Sequence, residues 1–267
     1  MSKTIEATED ELKWAALIKD AAEKDPDLHT DIILDLEYLH HGIVATDNVN
    51  EALKRLKRMQ RFKERHGIKI DGSYEEGMRD IRMFQEAHQG FFLSLGVLPN
   101  QSTVVSVDYS ALRARKVKRD ESFSVLMRGM FYVMQAGQSN VSAMRSGMSL
   151  LADGKNMGWK NSSFQVEEKI AALYSHSYPM HVNHLVLMNV SLLMRAFHNI
   201  CTVFVTKEHR AKHTFVARLD EYLQQSSVFS SDVLPAAWNG NIDQEKFQQI
   251  FNRKLQERYK FAEEFRL

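Results

Sequence analysis

Apolar and polar positions divide this chain into two unlike parts. The first ~95 residues carry helical periodicity throughout. Between Glu9 and Lys24 the apolar positions Leu12, Ala15, Ala16 and Ile18 form a stripe. Thr8 precedes it with Glu11 three positions on, the spacing of a reciprocal helix cap. Asp25-Pro26 ends it. A second, short helix is predicted from Thr30 to His40, with Ile33, Leu34, Leu36 and Leu39 inward. A third runs from Val49 to His66, begins after Asp47 or Asn48 and stops at Gly67. It sets Ala52, Leu53, Leu56 and Met59 against a rim of Lys54, Arg55, Lys57, Arg58, Arg61, Lys63 and Arg65. A fourth is predicted from Tyr74 to about Leu93.

The periodicity then changes. Leu98-Pro99-Asn100-Gln101 is turn chemistry, and the β-branched run Thr103 to Tyr109 reads as a strand. Strands are also predicted over Gly147–Asp153, Val182–Met188 and His213–Val216. Helices alternate with them at Ser122–Ala136, Gln165–His176, Leu192–Val205 and Arg218–Gln225, and Gln244–Phe265 closes as a polar amphipathic helix. Alternating strands and helices imply parallel β-α-β units with right-handed crossovers. The expected organisation is a helical lobe over 1–95, an α/β domain over 96–242 and a terminal helix over 243–267.

At 267 residues with 44% hydrophobic and 26% charged positions, the chain has the makeup of an ordinary globular protein with a sizeable core. A net charge of +1 gives no global pull toward DNA or acidic membranes, so any basic surface must be local. The single cysteine, Cys201, rules out an intramolecular disulfide. The charged start Met1 to Asp20 lacks an apolar secretory core, and no apolar run reaches the ~18 residues of a membrane span, so a cytoplasmic protein is expected. On that reading the sequons at Asn140, Asn161 and Asn189 are chance matches. Thirteen Met and fifteen Phe fit either a well-filled core or a soft-walled cavity.

The ordered set Gly158-Trp159, Ser177-Tyr178-Pro179, the strand Val182–Met188, Phe197 on an apolar helix, Lys207 to Lys212, and Leu234-Pro235 with Trp238 and Gly240 resembles the CRAL-TRIO lipid-transfer family. Cellular retinaldehyde-binding protein, α-tocopherol transfer protein and the yeast-type phosphatidylinositol transfer proteins belong to that family. The resemblance spans about residues 30–258. It implies an α/β fold in which a mostly parallel sheet floors a pocket, helices wall it, and one gate helix closes it behind an all-helical N-terminal lobe. By matched position the gate is Leu192 to Val205, followed by a loop near Thr206–Arg210.

The chain departs from the family pattern in places. Met180 and His181 stand where phosphatidylinositol carriers have an acidic and then a basic residue. Of the basic positions of tocopherol-type members, those matching His181, Asn183 and Lys212, only the last is unambiguously basic. Tyr38-Leu39-His40-His41 replaces a basic segment, and Asn239-Gly240 replaces Gly-Gly. The chain is identified as a divergent member.

The resemblance implies a cytosolic carrier of one small lipophilic molecule of the lipid, retinoid, tocopherol or carotenoid class, exchanged at membranes. The side chains expected to face the pocket are Phe131, Met134, Leu151, Phe164, Ile170, Tyr174, Leu187, Phe197, Ile200 and Phe204. Ser149, Tyr174 or His184 is expected to supply orienting hydrogen bonds. His181, Lys207, Arg210 and Lys212 form the expected membrane and phosphoinositide surface, with His213 as a partly charged neighbour. A second basic cluster is Arg113, Arg115, Lys116, Lys118 and Arg119. Four or five such charges suffice for weak reversible docking at ~1 kcal/mol each. A closed lid hides ~200–400 Å² of apolar surface, which costs several kcal/mol to expose to water at ~25 cal/mol/Å² and far less to expose to bilayer.

Other classes lack their signatures. The His residues show no metal-ligand spacing, so no metal or cofactor is expected. Gly-x-Ser-x-Gly and a phosphate-binding Gly-rich loop are missing, and Cys201 sits among apolar neighbours where a thiol stays protonated, so the chain is expected not to be an enzyme. It lacks basic excess and stacking strands for nucleic acid. A monomer is favoured. The rival reading is a scaffold that keeps the fold without a ligand.

Overall fold

In a computed structural model, the structure describes residues 7–45, 48–69, 73–112, 114, 117, 121–218, 221–223 and 229–267, with the side chain of Glu121 excepted. Four helices come first: α1 (Glu9–Glu23), α2 (Asp35–Val44), α3 (Val49–His66) and α4 (Tyr74–Ala87). Thr8 and Glu11 cap α1 reciprocally, as their spacing predicts. The buried stripe of α1 is Ala15, Ile18 and Ala22, whereas Leu12 and Ala16 are exposed. Helix α2 starts later than Thr30, because Thr30–Ile32 makes only a 3₁₀ turn and Leu34 is extended. Asn48 caps α3 through its side chain, and Gly67 ends it; Asp47 lies outside the described residues.

Helix α4 stops at Ala87, short of the predicted end. Gly90 follows at φ +81°, a left-handed turn that a helix cannot pass. Phe92–Val97 is then a strand, β1. A short apolar run of this kind fits a strand or a helix equally well, so periodicity alone misplaces it.

Further elements are β2 (Thr103–Asp108), α5 (Glu121–Gly137), α6 (Val141–Ser146) and β3 (Met148–Asp153). Helix α7 (Phe164–Ala171) widens into a π turn over Ala172–Ser177. Strand β4 (Val182–Met188), helix α8 (Leu192–Cys201, extended by a 3₁₀ turn to Phe204), the one-turn α9 (Lys207–Arg210), β5 (His213–Val216) and α10 (Gln244–Glu264) complete the order. The predicted Arg218–Gln225 helix falls partly outside the described residues, of which Glu221–Leu223 are helical.

The strands form one sheet in sequential order, with β1–β2 antiparallel and β2 to β5 parallel. Right-handed crossovers between neighbours taken in sequence place every crossover helix on the same face. Here α5, α7 and α8 share one face of the sheet. On the other face Val104, Leu151, Val186 and Met188 pack against Phe229, Val233 and Leu234 of the segment returning toward α10. This approach is close at Gly96, where an added Cβ would lie 2.5 Å from the Val233 Cα.

The helical lobe has its own core around Ala15, Ile18, Leu36, Leu39 and Leu56. It joins the rest through α6 and the end of α10, which contributes Ala262. The Arg145–Glu11 and Lys63–Glu37 ion pairs lie at or near this seam. Along α10, Phe247 and Phe251 stack in the main core with Phe92. Among the described residues, no helix is long and apolar enough to cross a membrane.

Gly96→Ala should cost about 2 kcal/mol, because the new methyl meets backbone rather than a side chain that can yield. Thermal unfolding should show a midpoint roughly 4–8 °C lower; an unchanged midpoint would mean that the Val233 segment is not seated on β1.

Candidate functional site

Between the sheet and its helices lies an apolar cavity of about 90 Å³, within about 970 Å³ of atom-free space that counts interatomic gaps and the open mouth. Its floor follows the register of the strands. Val105, Leu150 and Leu185 are paired across β2, β3 and β4, and His213 of β5 completes their row. Val107, Ala152 and Leu187 make the next row. Because side chains alternate along a strand, the intervening residues belong to the opposite face.

That alternation sorts the predicted strand residues. Leu187 lines the cavity. Ser149 and His184 are paired with each other and lie on the far face, as does Leu151 with Val186. His184 packs edge-on against Phe229 there.

The roof comes from three helices. Helix α5 supplies Met130, Val133 and Met134 at helical spacing. Phe131 points elsewhere, toward Phe62 and Tyr178 at the seam with the lobe. Helix α7 and its π turn supply Glu167, Ile170, Ala171 and Tyr174. Helix α8 and its extension supply His198, Cys201, Thr202 and Val205. Of the predicted pocket residues, the cavity therefore gathers Met134, Ile170, Tyr174 and Leu187.

The remaining predicted residues belong to the seating of α8 or to its outside. Phe197 is buried, with its ring 4.7 Å from Phe164 and 6.1 Å from Trp159. Phe204 is half-buried beside this cluster, and its carbonyl accepts a 2.9 Å hydrogen bond from His176 Nε2. The outer face carries Leu192 (82% exposed), Leu193 (52%), Ile200 (57%) and Val203 (65%). Phe164 and Trp159 are also exposed over nearly half their surface. Such a contiguous apolar patch on a surface helix marks a site of interaction. Lys207, Arg210 and Lys212 stand exposed just beyond it, and His181 is half-buried. The cluster from Arg113 to Arg119 lies outside the described residues.

The polar groups of the cavity are few. His198 Nε2 lies 2.9 Å from His213 Nδ1, so one ring donates and the other accepts. Burial first, and then a basic neighbour that disfavours a second positive charge (His213 for His198, Arg210 for His213), hold both at about 4, so both are neutral at pH 7. His213 therefore faces inward as an uncharged ring, not outward as part of a charged surface. Burial pushes the Cys201 thiol up to about 12. Burial also raises Glu167 to about 7, with the Tyr109 hydroxyl pulling it partly back.

Glu167 and Tyr109 are not among the site residues expected from the sequence. For Glu167 a signal existed: it shares a helical stripe with Ile170 and Tyr174, both expected to face the pocket. Among the described residues, no cluster of His, Cys, Asp or Glu is arranged to hold a metal ion.

A family model of the CRAL/TRIO domain matches residues 90–240, more than half of the chain. The chain belongs to the CRAL-TRIO family, a family of lipid-binding and lipid-transfer proteins. Among solved structures, that of Sfh5 is similar over 94% of this chain and 98% of its own, at a TM-score of 0.57 and 13% identity, a likeness of fold. No curated protein matches the sequence.

The neutral His pair gives a pH expectation. Between pH 6.5 and 4 the unfolded chain binds protons that folded His198 and His213 refuse, so their contribution to stability is lost as pH falls through that window. Glu167 acts oppositely, favouring the folded state as pH falls from about 7. The double variant His198→Gln/His213→Gln should flatten the dependence of melting temperature on pH between 6.5 and 4; an unchanged slope would place both rings in water.

Proposed function

We propose that this protein is a cytoplasmic carrier that takes one lipophilic molecule into the cavity, closes over it with α8, and exchanges it at membrane surfaces. The observation that carries this reading is the apolar space left between sheet and roof. A member of the family that had become a mere scaffold would gain by filling such space with side chains, since empty volume costs about 24 cal/mol per Å³.

Helix α8 suits a gate because its faces differ. One stripe (His198, Cys201, Thr202, Val205) looks into the cavity. A second (Met194, Phe197) is clasped by the Trp159–Phe164 side. The third is apolar and exposed. An apolar outer face next to Lys207, Arg210 and Lys212 matches the two components of bilayer adsorption, insertion of hydrocarbon and attraction to anionic headgroups. Once α8 lies in the interface, swinging its inner stripe outward no longer exposes it to water. The one thiol of the cavity, Cys201, is held protonated, which supports a carrier over a thiol-based catalyst.

Organic extraction of purified protein followed by mass spectrometry should release a stoichiometric lipophile. Ala152→Phe projects a ring from the floor into the cavity and should reduce the extracted amount several-fold while the protein stays folded. Full loading of that variant would count against this cavity as the binding site. Ile200→Asp/Val203→Asp should lower co-flotation with anionic liposomes and the transfer rate, with melting temperature nearly unchanged because both side chains are exposed. Undiminished flotation would remove α8 from the membrane contact.

A further inference from the structure

The cavity wall carries one acidic side chain, Glu167, and among the described residues no Lys or Arg shares the wall with it. Glu167 sits on the inward stripe of α7. From the turn after β2 the Tyr109 hydroxyl stands against its carboxyl. Tyr174 on the same helical stripe and Cys201 on α8 lie within its electrostatic reach. The other titratable groups in the wall, His198 of α8 and His213 of β5, are uncharged at neutral pH. The facing positions of α5, β1, β2, β3 and β4 are apolar. So when Glu167 ionises, nothing in the cavity neutralises it, and an unpaired buried carboxylate is costly.

Aromatic rings surround the same corner. Phe91 and Tyr109 meet edge-on with centroids 5.8 Å apart, and both line the cavity with Tyr174. Ring faces carry negative potential and attract cations. A carboxylate beside aromatic rings in an apolar chamber offers charge attraction to a protonated amine and ring surface to its neighbouring methylenes.

We propose that this corner is an ammonium-recognition site, and that the ligand class of the cavity is the lipophilic amines: an apolar body filling the chamber, with its charged nitrogen against Glu167 between Tyr109 and Tyr174. The inference rests on the carrier reading and narrows it. An anionic headgroup would meet a like charge with no cation to offset it. A neutral alcohol offers Glu167 a hydrogen bond but leaves its charge uncompensated. Only a cation converts the carboxylate from a burden into a binding group.

The pH response follows. A primary amine stays protonated well past neutrality, as a lysine does at a pKa of about 10.4. Glu167 passes from acid to carboxylate near neutral pH. Amine binding should therefore tighten from pH 6 to pH 8, and binding of an uncharged analogue should not.

The experiment is a calorimetric titration of the whole protein with dodecylamine, dodecanol and dodecanoate, each below its micelle concentration, at pH 6 and pH 8. At pH 8 the amine should bind about tenfold or more tighter than the alcohol, as a charged hydrogen bond in a buried site warrants. Dodecanoate should be weakest. Glu167→Gln should erase both the amine's advantage and its pH dependence while alcohol binding persists, and Tyr109→Phe should weaken the amine alone. Thermal melts of both variants establish that they are folded. Equal affinity for amine and alcohol in the unaltered protein, or an equal loss of both in Glu167→Gln, would overturn the assignment while leaving the carrier reading standing. If folded protein binds none of the three probes, the carrier reading falls and takes this one with it.

Discussion

The structure depends on a difference between the two faces of one sheet. Strands β2, β3 and β4 send alternate side chains to opposite sides. On the far side those side chains meet the chain itself, as Leu151, Val186 and Met188 close on Val233 and Leu234. On the near side the crossover helices arch over the sheet, and Leu150, Leu185 and Leu187 look into open space. Sequential strand order with one crossover hand commits all the roof helices to that side. The cavity is thus a consequence of topology, and the far face can be close-packed without filling it.

Helix α8 is held to this roof by a small number of rings. Phe197 is clasped by Phe164 and Trp159, themselves half in water. This clasp lies at the surface, whereas the aromatic stack of Phe92, Phe247 and Phe251 that joins α10 to β1 is buried. The exposed row along α8 gives a bilayer something to compete with this clasp. Burial of one Phe side chain contributes about 1.5–3 kcal/mol. Adsorption of several exposed apolar residues to an interface is of the same order, so a balance between seated and lifted positions is physically reasonable.

Element type was largely legible in the sequence because long periodic runs announce themselves. Val49–His66, Val182–Met188 and His213–Val216 form where their patterns place them. Strand β1 was hidden because Phe91-Phe92-Leu93 continues the apolar rhythm of α4, and only the left-handed turn at Gly90 separates them. The cavity residues were harder. In a sheet covered on both faces apolar residues fall on both, as Leu150 and Leu151 do in β3, so the pattern carries no sign of which parity faces inward. Ser149, Leu151 and His184 went to one side and Leu187 to the other for that reason. On α8, apolar residues face cavity, clasp and solvent alike, so composition could not separate Cys201 from Ile200. Glu167 escaped notice because an acidic residue on a helix reads as solvated until the fold shows it under a roof.

An apolar chamber of this kind offers its lining side chains to a guest, whose atoms gain dispersion contacts with them. A guest supplies those contacts to floor and roof together, since Leu185 and Leu187 stand across from Ile170, Cys201 and Val205. Occupancy then stabilises the folded chain and the seating of α8 through the same contacts. Loading and closure are in this way one equilibrium, and a bilayer that loosens α8 must by the same linkage weaken the hold on the guest.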